Sequence, residues 1–176
     1  SVYNSMTSRL LVDKIEGKST SGTIQMPSGH VIQTVFLHST TRTAVSSSSY
    51  TATALQKSIT PKFSNSLIYV QVSSGYNTEG ANNRIDITVE RAATGLTTIN
   101  LHEDQGLSGS SHRMQSIKHH GNRMEGTFVL NYMDQPNTTN AVTYHVLARE
   151  EGDGQTIEIP SSSNQVQTMV LMEIAQ

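Results

Sequence analysis

Histidine is the residue type best suited to chemistry in this chain, and four of its seven copies lie between His102 and His120. His102-Glu103-Asp104, with His112 and His119-His120, supplies imidazole and carboxylate, the usual non-thiolate ligands of a divalent metal. The spacing argues against such a site. Adjacent His119 and His120 in an extended strand point to opposite faces, and no His-x-x-x-His pair exists for a helix to turn to one side. One inward histidine from each of three chains around an axis is another way to gather imidazoles. Surface histidine needs no partner, so exposed loop histidines remain the plainer reading, with no metal and no cofactor expected.

Other reactive arrangements fare no better. The nearest string to a Gly-x-Ser-x-Gly elbow, Gly106-Leu107-Ser108-Gly109-Ser110, ends in the wrong residue and follows no convincing strand. Glycosidic carboxylates must flank a groove about 5–9.5 Å across, whereas Glu103-Asp104, Glu150-Glu151 and Asp153 read as solvated loop charges. No glycine cluster joins a strand to a helix, which removes phosphate and dinucleotide fingerprints. The sequon Asn137-Thr138-Thr139 is a chance match in so polar a chain. No catalytic residue is assigned, and no enzymatic activity is expected.

Composition narrows the field further. Lys and Arg number 12 against 14 Asp and Glu, a net charge of −2 that offers no basic field for a phosphate backbone, so no nucleic-acid partner is expected. Ser, Thr, Asn and Gln fill 66 of the 176 positions, while only 15% are charged. Such a chain is polar without the net charge that holds disordered segments open, and one folded domain fits its length. No apolar run approaches the ~20 residues of a membrane span and the first residues lack a signal pattern, so a soluble protein with no membrane partner is expected. Without cysteine, stability must come from packing, ladders or association.

The elements that position these residues read as strands, because apolar side chains recur with period two and almost nowhere with period 3.6. Ile85-Asp86-Ile87-Thr88-Val89-Glu90 is the clearest, a strand with one wet face. Phe128, Leu130 and Tyr132, then Val142, Tyr144, Val146 and Ala148, mark two strands with inward aromatics. Ile68, Val70 and Val72 mark another, and 169–174 closes the chain; weaker candidates are 10–15, 23–26, 31–37, 50–55 and 157–159. Turn formers such as Pro27-Ser28-Gly29, Pro136-Asn137 and Gly152-Asp153-Gly154 punctuate them. Many short strands at even spacing predict an antiparallel β-sandwich of jelly-roll type over residues 30–176. Residues 1–29 read as an extended N-terminal arm, which pairs either with another chain or with its own sandwich. Residues 101–123 form a long excursion of the sort that is functional or disordered.

Several of these segments also resemble a known group. Leu11-Val12-Asp13-Lys14-Ile15, Gly22 to Gln33, Ile59 to Val70, Asn131 to Thr139, Tyr144 to Arg149 and Leu171 to Gln176 are similar to virion structural proteins of tailed bacteriophages, especially tail-fibre-like proteins of marine phages. The resemblance spans nearly the whole chain, except the stretch from His102 to Met124. It implies a non-enzymatic component of the virion, of tail-fibre or spike type, assembled as a homotrimer and anchored to other virion proteins by the arm. Capsid decoration is the alternative, and a surface-glycan hydrolase the third. Apolar residues on both faces of 169–174 place a subunit contact at Met169 and Leu171. A receptor-contact loop for host-surface glycan is expected from His102, Asp104, Ser108, Ser110, His112, Arg113, His119 and Asn122, side chains that hydrogen-bond without heavy desolvation cost.

Overall fold

The apolar runs become strands because alternate side chains must leave water while every backbone amide and carbonyl between them needs a partner. In the computed structural model, which describes residues 26–79, 83–103, 113–118, 120–121, 123–152 and 154–176, no α-helix occurs among the described residues. The strands are β1 (Val31–Ser39), β2 (Thr43–Val45), β3 (Thr51–Ile59), β4 (Leu67–Glu79), β5 (Arg84–Ala93), β6 (Ile99–Asn100), β7 (Gln115–Lys118), β8 (Arg123–Asp134), β9 (Val142–Glu150), β10 (Ile157–Ile159) and β11 (Gln167–Ile174). Residues 1–25 of the expected arm lie outside the described residues. Its last part forms a turn at Pro27–His30, and the chain enters β1 with Gly29 N donating to Ala175 O and Ala175 N to His30 O, at 2.8 and 2.9 Å.

Pairing is antiparallel and nested. β1 pairs with β11, β2 with β10, β3 with β9, β4 with β8 and β5 with β7, so each outgoing strand is met by its returning counterpart. The front sheet runs β1-β11-β4-β8, with β10 and β2 continuing beside the far end of β4. The back sheet runs β3-β9-β5, with β6 and β7 on the free side of β5. Two antiparallel sheets packed face to face make the all-β sandwich that the alternation implies.

Ile68, Val70, Val72 and Phe128 of the front sheet share one core with Ile85, Ile87, Val89, Tyr144 and Val146 of the back sheet. Burial of each aliphatic side chain there contributes about 1.5–3 kcal/mol. Met169 and Leu171 belong to this core and not to a surface. Both are 0% exposed within a single chain, since β11 is flanked by β1 and β4 and sends its odd-numbered side chains inward. Val170, Met172 and Ile174 point the other way and are half-buried. The expectation of a subunit contact at Met169 and Leu171 is thereby corrected.

Two polar clamps tie the layers. Asp134, at the end of β8, accepts from Tyr144 Oη at 2.6 Å and from Arg91 at 2.6 Å, linking the front sheet to β9 and β5. From sequence, Asp134 reads as a turn residue; the turn is instead made by Asn137, at φ 53° with its amide on Gln135 O, while Asp134 is fully buried. Burial and the adjacent Asp134 carboxylate together push the Tyr144 phenol far above its ordinary range. Glu173 is the second clamp: it accepts from Gln33, Lys62 N and Phe63 N, fastening the crossing between β3 and β4. Gly126 supplies space, because a Cβ there would meet the Tyr76 hydroxyl at 2.5 Å and its ring at 2.8 Å.

Replacing Asp134 with Ala strands a buried guanidinium and a buried phenol, and is expected to lower unfolding free energy by about 3–5 kcal/mol. Urea unfolding followed by circular dichroism measures it; a loss below about 1 kcal/mol would deny the clamp its role.

Candidate functional site

The stems of the long excursion settle on the outer face of the back sheet. There Asp86 and Thr88 of β5 stand beside Arg149 and Leu147 of β9, as their register dictates. This is the face expected to be wet, and it is dry: Asp86 and Thr88 are each 0% exposed. Leu101 N donates to Val89 O and Met114 N to Ile87 O, which lays both stems across β5. His102 is 5% exposed and bonds through Nδ1 to Thr88 Oγ1 at 2.7 Å.

Asp86 is the centre of the cluster. Arg149 donates to it at 2.9 Å, Arg113 at 2.8 Å and Arg84 at 3.2 Å. Glu151 bridges Arg84 and Arg149, the latter at 2.6 Å. The ring of Tyr50 lies 4.8 Å from the Arg149 guanidinium and 6.3 Å from the His102 ring, closing the site from above. Burial alone would raise the Asp86 pKa; hydrogen bonds from Ser116, Arg113 and Arg149, with the charge of Arg84, outweigh it and hold the carboxyl below its usual range. Burial likewise lifts the Tyr50 phenol, and Arg149 offsets only part of that rise.

The arrangement ties both stems to the sheet. Three guanidinium groups converge on Asp86 Oδ2, while the buried Asp86 Oδ1 and Arg84 Nε have no hydrogen-bond partner. Of the expected receptor contacts, His102 and Arg113 are thus turned into the sheet, a correction for these two, because burying Asp86 and Thr88 demands donors that the stems supply. Asp104, Ser108, Ser110, His112, His119 and Asn122 lie outside the described residues. Tyr50, Arg84, Asp86, Arg149 and Glu151 were not legible as a site, since only the β5–β9 register brings them together.

The other histidines scatter. His145 on the back sheet contacts Glu90 at 3.4 Å and Gln56, and His120 is exposed. Among the described residues no three His, Asp or Glu side chains are grouped to hold a metal ion. A cleft of about 180 Å³ lies among Asn77, Gln155, Thr156 and Glu158, where Asn77 donates to Glu158 at 3.2 Å and Arg42 pairs with it at 2.9 Å. No protein-family model matches the chain, and no curated protein matches it either.

The lowered pKa of Asp86 gives stability that is complete above the unfolded value of 3.8 and is lost as pH falls through the folded value. Replacing Asp86 with Asn leaves Arg149 buried with Glu151 alone, and is expected to cost about 3–5 kcal/mol at neutral pH. Unfolding measured below pH 3.8 should also fall less steeply in the variant than in the parent; parallel acid limbs would remove Asp86 from the account.

Proposed function

We propose that this chain is a non-enzymatic virion structural protein of tail-fibre or spike type, a homo-oligomer joined to other virion proteins through its N-terminal arm. The sequence resemblance supplies the particle, and three copies follow from it. The observation that carries the reading is the fixing of the long excursion at both stems, through His102 to Thr88 and Arg113 to Asp86. A loop that starts and ends on a rigid sandwich is how a scaffold presents a binding surface. Asp104, Ser108, Ser110, His112, His119 and Asn122 are then the residues assigned to host-surface glycan, with weak contacts strengthened by repetition over linked copies. The nested pairing of β1 with β11 through β5 with β7, alternating between two sheets, supports a jelly roll.

Capsid decoration is the second reading. The observation favouring it is that two of the expected recognition residues, His102 and Arg113, face the sheet.

Arg113 is unsuitable for testing recognition, because removing it disturbs Asp86. Replacing Asp104, Ser108, Ser110 and His112 together with Ala should lower adsorption of particles to host cells by about tenfold or more while the melting temperature holds. Unchanged adsorption, together with antibody labelling of the head in electron micrographs, would overturn the tail-fibre reading in favour of decoration. Particles carrying no label would overturn both.

A further inference from the structure

The cleft among Asn77, Gln155, Thr156 and Glu158 is built on the outer face of the front sheet. Ile157 and Thr78 pair with each other and are both buried in the sandwich, so the next pair along, Glu158 and Asn77, points outward. Register extends that pair into a row of Ala44, Glu158, Asn77 and Glu125 across β2, β10, β4 and β8. Gln165, bonded to Ser161, lies over Gly75, one outward position before Asn77, and walls the row off along β4. On the other side, the methyl group of Ala44 leaves the floor beside Glu158 low.

The floor is held in place by its own bonds. Asn77, which is 5% exposed, accepts from Arg123 Nε at 3.2 Å and donates to Glu158 Oε2 at 3.2 Å, and Arg42 donates to the same oxygen at 2.9 Å. Arg123 also pairs with Glu125 at 2.7 Å. One set of polar groups is left over. Glu158 Oε1, the Gln155 amide and the Thr156 hydroxyl take no partner among the described residues. Gln155 and Thr156 are exposed, so an acceptor-only oxygen and two groups that both donate and accept line the cleft together.

We propose that this cleft binds one ring of a neutral saccharide. The guanidinium groups of Arg42 and Arg123 beside it repel a metal ion, and the carboxylates of Glu158 and Glu125 repel an anion, whereas an uncharged ligand is opposed by neither. Its hydrogen bonds must run both ways. Glu158 Oε1 only accepts while the Gln155 amide also donates, a combination that neighbouring hydroxyls on a sugar satisfy because each hydroxyl does both. Volume sets the size: a cavity of about 150 Å³ admits one six-membered ring. The cleft, at about 180 Å³, therefore takes a single pyranose and leaves any further sugars of a chain in water. The site is on the opposite sheet from the stems of the excursion, so it goes beyond the loop of the proposed function and stands or falls without it.

Amide chemical shifts of the whole chain, titrated separately with glucose, galactose, mannose and N-acetylglucosamine, test it. At least one of these sugars is expected to give saturable shifts at Gln155, Thr156 and Glu158. Gln155→Ala combined with Thr156→Ala removes two exposed side chains that hold nothing else in place, and should weaken that binding about tenfold with an unchanged circular dichroism spectrum. Glucuronate, a charged sugar, should bind no more tightly than glucose. Tighter glucuronate binding that inorganic sulfate displaces would make this an anion site and overturn the proposal. The absence of saturable shifts with all the neutral sugars, or parental affinity in the double variant, overturns it equally.

Discussion

Everything in this molecule depends on the dry contact between the inner faces of its two sheets. The strands that make the contact are joined mostly to strands far away in the chain: Val35 of β1 pairs with Leu171 of β11, and Val72 of β4 with Leu130 of β8. No single hairpin could bury its own apolar face, so each ladder holds only while the others do. Asp134 shows how tightly the layers are bound, because its two acceptor oxygens in β8 serve donors in β9 and β5. A buried carboxylate of this kind is tolerable only while both donors stay in place.

The two outer faces are finished in opposite ways. On the back sheet, the stems of the long excursion, the ring of Tyr50 and the ion cluster around Asp86 roof β5 and β9. Most polar groups there are paired with one another, with Asp86 Oδ1 and Arg84 Nε buried and left over. On the front sheet, Phe36, Met133 and Val129 stay exposed with no charge among them. One face is therefore roofed by other parts of the same chain, and the other is open in a single chain.

Period-two alternation was enough to read the sandwich. Ile68, Val70 and Val72 and the run from Ile85 to Glu90 pointed to the inward positions because the pleat allows no other arrangement. It misled wherever the second face mattered. Asp86 and Thr88 look like a wet face, and nothing local reveals that Arg149 lies across from Asp86 or that Arg113 comes over it. The closing strand is the same case. Apolar residues on both faces of β11 rightly implied two covers, but the pattern does not say which face is the core, and Met169 and Leu171 were placed on the wrong one. β2, β6 and β7 escaped notice because each holds one large apolar residue, Val45, Ile99 or Ile117, and so shows no alternation, whereas the equally short β10 shows two, Ile157 and Ile159.

Methionine chemistry gives the most direct test of the central claim, that the inner faces of the two sheets make one dry contact. Met133 is 46% exposed in a single chain, whereas Met169 is 0% exposed. Brief peroxide oxidation of the native protein, followed by peptide mass spectrometry, reports the two sites side by side. With the sheets packed, Met169 oxidises much more slowly than Met133, and becomes as fast only once urea separates the sheets. Oxidation of Met169 as fast as that of Met133 in the native protein would contradict the account.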